Sequence, residues 1–121
     1  MGTISKLALS GSNFGRPIQV SATGATGTTI HTTLSSTTIV DEIWLYATNN
    51  DLSTLRNLTI EYGTTGTASE ITVGIPSRSG LTIVLSGLVL TGSGTSGSVI
   101  RAYSSLTNTI SLVGYVNRIV P

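Results

Sequence analysis

The chain has no cysteine, which excludes a disulfide framework, thiolate metal sites and thiol catalysis together. Charge is scarce: Asp, Glu, Lys and Arg make up 9% of the 121 residues, against about 25% in an average soluble domain. The net charge is +1 and no basic cluster occurs, so the footprint of a nucleic-acid-binding surface is missing. Aromatics make up only 5%, with one Trp, Trp44, and one Phe, Phe14. No apolar run reaches the roughly 18 residues of a membrane span. The opening Met-Gly-Thr-Ile-Ser-Lys lacks the apolar core of a signal peptide. Histidine occurs once, as His31. One His without Cys cannot supply the usual transition-metal ligand set.

What remains is a chain in which Ser and Thr make up roughly a third of the residues, a composition suited to strands joined by small-residue loops. The length fits one domain, and such a domain buries roughly two-thirds of its unfolded surface without metal or disulfide support. A free monomer normally keeps its neighbours apart with surface charge. So little charge points to a protein that works inside an assembly.

The densest apolar stretch is residues 41–49, Asp-Glu-Ile-Trp-Leu-Tyr-Ala-Thr-Asn. Ile43, Leu45 and Ala47 fall on one side of an extended chain, with Trp44 and Tyr46 on the other. Two apolar faces predict a central strand covered on both sides. The first set is expected to face the core, and Trp44 with Tyr46 to face a subunit contact or the N-terminal segment. Residues 1–16 read as an extended arm or an edge strand, ahead of a domain spanning 17–121. Deleting residues 1–13 is expected to leave that domain folded.

Further strands are predicted from Pro17 to Val20, over 28–34, across Leu58, Ile60 and Tyr62, across Ile71, Val73 and Ile75, and over 99–103 and 110–120. Residues 81–85 and 88–90 read as two short pieces around Ser86-Gly87. Residues 52–55 read as one helical turn, and 92–97 as a hairpin or exposed tip. Eight or nine strands at turn spacings of about 8–12 residues, with no amphipathic helix, predict an all-β, single-domain β-sandwich, jelly-roll-like.

Catalytic readings fail on residue supply. A Ser or Thr nucleophile needs a base within hydrogen-bond reach, and His31, between threonines, reads as an ordinary strand histidine. Asp41 and Glu42 are strand neighbours and point to opposite faces, which does not suit a glycosidase carboxylate pair. Asp41, Glu42 and Asp51 do not form a dense calcium loop. No cofactor motif is present, so no catalytic, cofactor or metal residue is assigned. Five arginines against one lysine are better suited to planar pairing and interfaces. Arg101 and Arg118 are expected either to pair with glutamates on a wet sheet face or to lie between subunits.

Several segments occur together in a recognisable order: Gly15-Arg16-Pro17-Ile18-Gln19-Val20, Asp41-Glu42-Ile43-Trp44-Leu45-Tyr46-Ala47, Leu58-Thr59-Ile60-Glu61-Tyr62-Gly63, Ile75-Pro76, Ser79-Gly80-Leu81, Val99-Ile100-Arg101-Ala102-Tyr103 and Gly114-Tyr115-Val116-Asn117-Arg118-Ile119. This set resembles small structural proteins of tailed bacteriophages, of the capsid decoration (cement) type. The resemblance implies a non-enzymatic virion protein on the capsid surface, a homotrimer seated on the major capsid protein. Membrane and nucleic-acid partners are not implied. The candidate subunit or capsid contacts are Leu7, Leu9, Phe14, Arg16, Trp44, Tyr46, Arg101, Tyr115 and Arg118. The alternative is a tail or fibre module that binds a host glycan or receptor through aromatic stacking.

Overall fold

The computed structural model describes residues 2–121. Among them nine strands form two antiparallel sheets: β1 (Thr3–Ala8), β2 (Ile18–Gln19), β3 (Thr28–Thr32), β4 (Val40–Asn49), β5 (Arg56–Gly63), β6 (Glu70–Ile75), β7 (Thr82–Leu90), β8 (Val99–Ser104) and β9 (Ile110–Val120). One sheet runs β1-β9-β4-β7, with β2 also paired to β9; the other runs β3-β8-β5-β6. The all-β sandwich read from the sequence is the observed architecture. Setting aside the two-residue β2, every step along the chain changes sheet except β5 to β6.

The alternation in residues 41–49 puts the first set in the core, as predicted. Ile43, Leu45 and Ala47 are buried and Trp44 and Tyr46 are half-buried. β4 lies between β9 and β7, and its inner side chains pack with Val116, Leu112 and Ile110 of β9 and with Leu58, Ile60, Ile75, Ile100 and Ala102 of the other sheet. Full burial of such a side chain stabilises by roughly 1.5–3 kcal/mol. A buried polar side chain fixes each end of β4. Asp41 holds the first, and Asn49 donates to the carbonyls of Thr54 and Ile75 at the other.

Several local expectations change. Of the two readings of the N-terminal segment, the edge strand is observed and not the extended arm: Thr3–Ala8 pairs along six residues of β9, and Leu9, 3% exposed, belongs to the core. Removing residues 1–13 therefore uncovers the β9 edge and empties a core position. The two pieces at 81–85 and 88–90 join in one strand, Thr82–Leu90, because a register shift against β4 at Gly87 absorbs the break, with a second shift at Val84. Residues 52–55 hold no helical turn; a short 3-10 turn occurs instead at Thr67–Ser69. Residues 92–97 form the exposed tip and not a hairpin, since they link strands of different sheets and residues 93–96 are exposed. The tip is pinned by Gly92 and Gly94 amides donating to Ser36 and Ser35.

Candidate functional site

The outer face of the sheet containing β4 gathers the aromatics. Trp44 stands opposite Tyr115 of β9, and Tyr46 opposite Val113. The Trp44 and Tyr115 rings stack with centroids 6.1 Å apart and planes 11° from parallel. The Trp44 Nε1–H donates to Glu42 Oε1 at 2.8 Å, and Asn117 Nδ2 donates to the same oxygen at 3.0 Å. These two hydrogen bonds hold the Glu42 carboxyl below the usual carboxylate range. Lys6 of β1 places its Nζ 4.6 Å from the centroid of the Tyr115 ring, a cation–π contact. Gly87 of β7 has φ 78°, and a Cβ there would lie 3.0 Å from Trp44 Cζ2, so the glycine both permits the bulge and leaves room for the indole.

Beside this cluster the face is apolar. Ile83 and Val89 of β7, paired with Tyr46 and Glu42, are 60% and 58% exposed, and Ile4 of β1 is exposed too. β7 carries no charged residue. Lys6 and Glu42 are the outward charges of these strands, and both are engaged by the aromatic cluster.

The remaining candidate contacts are dispersed. Leu7 is half-buried on β1, and Leu9 is in the core. Phe14, 90% exposed at φ 58°, lies with Arg16 6.0 Å from its ring centroid in the loop after β1. Arg101 is on the outer face of the opposite sheet, across from Glu61. There Glu61 is buried, with Oε1 accepting the Gly27 amide at 2.7 Å and Oε2 unpartnered. Tyr103 of β8 donates to Glu70 of β6, so its side chain passes over β5 between them. That hydrogen bond, with burial, raises the Tyr103 phenol.

Arg118 points inward, to a network that the sequence did not disclose. Its Nε and Nη2 donate to Asp41 Oδ1 and Oδ2 at 2.8 and 2.9 Å. Asp41 Oδ2 also meets His31 Nε2 at 2.8 Å. His31 Nδ1 accepts the Ser10 amide at 3.0 Å, which places the ring proton on Nε2. Burial pushes the Asp41 carboxyl up, but the hydrogen bonds from Arg118 and His31 and the charge of Arg118 outweigh it, and the net shift is downward. Arg118 shifts upward to match, chiefly through its hydrogen bond to Asp41. An Asp–His pair suggests a catalytic base, yet this ring is 1% exposed and both nitrogens are occupied. The pair joins the two sheets.

The three acids weighed for calcium are separated. Asp41 is inside, Glu42 outside, and Asp51 is clasped by Arg56 through two hydrogen bonds. The described residues contain no group of three or more His, Asp or Glu side chains placed to share a metal ion, and no pocket is formed among them. No protein-family model, curated protein or solved structure matches the chain.

Proposed function

We propose that the chain is a structural virion protein, a capsid decoration protein of a tailed bacteriophage, which acts by burying the outer face of the β1-β9-β4-β7 sheet against neighbouring subunits. The observation that carries this reading is that face itself. It has a stacked Trp–Tyr pair at its centre, exposed Ile83, Val89 and Ile4 around it, and few charges. Aromatic anchors within an apolar, charge-poor patch are the composition of protein–protein interface cores. We also read the sandwich as a jelly roll. With β2 set aside, the eight strands are ordered first-eighth-third-sixth in one sheet and second-seventh-fourth-fifth in the other, the two-Greek-key arrangement used by viral capsid and lectin domains. That likeness raises the prior for a shell protein and does not assign a role.

In this reading the major capsid protein is the partner and the chain assembles as a homotrimer. Binding to the assembled shell in preference to free subunits stabilises the shell by mass action, and many copies reinforce a weak single contact. Co-sedimentation with undecorated shells tests it. Wild type is expected in the pellet, and Trp44→Ala is expected to bind about tenfold more weakly or worse, as loss of an interface anchor does. Val89→Lys, which places a charge on the same exposed face, is expected to behave alike. Equal occupancy by both variants would overturn the assignment of this face, and glycan binding lost on Trp44→Ala with shell binding intact would favour the receptor-binding alternative.

A further inference from the structure

The segment after β1 crosses from one sheet to the other and clips onto β3. Gly11 donates its amide to the Ile30 carbonyl at 2.9 Å, Thr32 donates its amide to Ser10 Oγ at 2.7 Å, and the Ser10 amide donates to His31 Nδ1 at 3.0 Å. Of these contacts only the last depends on a titratable side chain. The strand behind it is held by its six-residue ladder to β9, by the Lys6–Tyr115 contact and by the buried Leu9 that follows it. β1 is an edge strand, and all its residues except Leu7 are exposed.

We propose that His31 is a proton-operated latch for the N-terminal strand: adding a proton at Nδ1 breaks the Ser10 bond and releases the crossover and β1 from the sandwich. Two features of the site oppose the proton. First, Nδ1–H would face the Ser10 N–H, donor against donor, where an acceptor is now used. Second, the charged groups facing the ring are Asp41 from β4 and Arg118 from β9, while its partner on β8 is the apolar Ile100. With neutral His31 the trio sums to zero. With imidazolium it carries one buried positive charge that nothing balances. Detaching Ser10 lets water reach Nδ1–H and relieves both, whereas the Asp41 bond on Nε2 can persist.

Release has a direct structural consequence. β1 covers one edge of β9 along six residues, so its departure frees a strand and an edge together, the two halves of a strand exchange between copies.

The test follows ring and amide resonances of the wild-type chain through one pH titration by NMR. As the His31 ring takes up its proton, exchange protection of the Ser10 amide is expected to fall about tenfold or more, the scale of one lost hydrogen bond. Protection of the β1 amides should follow with the same midpoint, while the β4–β9 ladder stays protected. His31→Asn keeps a carbonyl acceptor near Nδ1 and cannot take up the proton, so its Ser10 protection is expected to be independent of pH over that range. Ser10 protection unchanged across the ring titration would overturn the latch, as would a ring that gains no proton before the whole domain unfolds.

Discussion

Replacing Asp41 with alanine is expected to lower the free energy of unfolding by about 3–5 kcal/mol, the cost of breaking a buried ion pair from one side. Asp41 is 1% exposed and accepts two hydrogen bonds from Arg118 and one from His31. Its loss leaves the Arg118 guanidinium without its counter-ion and the His31 Nε2–H without an acceptor, at a point where β3, β4 and β9 meet. The effect carries a pH signature with a definite sign. The Asp41 carboxyl is held below its ordinary value in the folded chain, so the unfolded chain takes up this proton first as pH falls. The stabilisation is therefore complete above the unfolded value of about 3.9, and it is lost as pH falls from there through the folded value. Denaturation midpoints of wild type and Asp41→Ala should differ most near neutrality and converge in acid. A difference below about 1 kcal/mol at pH 7 would show that the network contributes little beyond a surface pair.

Gly114→Ala is expected to be comparably damaging for a steric reason. Gly114 pairs with Leu45 at the middle of the β4–β9 ladder. A Cβ there would collide with the Trp44 carbonyl oxygen and lie 3.1 Å from Leu45 Cα. Both are backbone atoms of the central strand and cannot step aside without opening the ladder. The cost is expected at or beyond the roughly 3 kcal/mol upper end of overpacking, a fall in Tm on the order of 10 °C. Gly24→Ala serves as the control, since a Cβ there meets nothing within 4 Å, and its effect should stay within about 0.5 kcal/mol. Equal melting of the two variants would contradict this account of Gly114.

The same two sites show where the sequence could be read and where it could not. Period-two alternation exposes β4, β5, β6, β8 and β9, because burying one face of a strand imposes that period. It also separates Asp41 from Glu42 onto opposite faces, as observed. Bulges defeat it. A register shift between Thr29 and His31 lets consecutive residues Ile30 and His31 both turn inward, so a histidine that looked ordinary became the buried link between sheets. Pairings distant in sequence are equally silent. Asp41 and Arg118 lie 77 residues apart, and neither residue announces the other. The Trp44–Tyr115 stack was partly legible, since both residues were singled out, but the register that joins them comes from the β4–β9 pairing. The core position of Leu9 is not legible, because the short alternation before Gly11 does not reveal that the chain turns inward there.

The central reading, a shell-decorating protein, is tested most directly by stoichiometry. Particles purified from the source of this chain can be resolved on a denaturing gel and the chain quantified against the major shell subunit. A copy number of the same order as that subunit is the expected result. A few copies per particle would place the chain in a tail or fibre, and its absence from particles would contradict a virion role altogether.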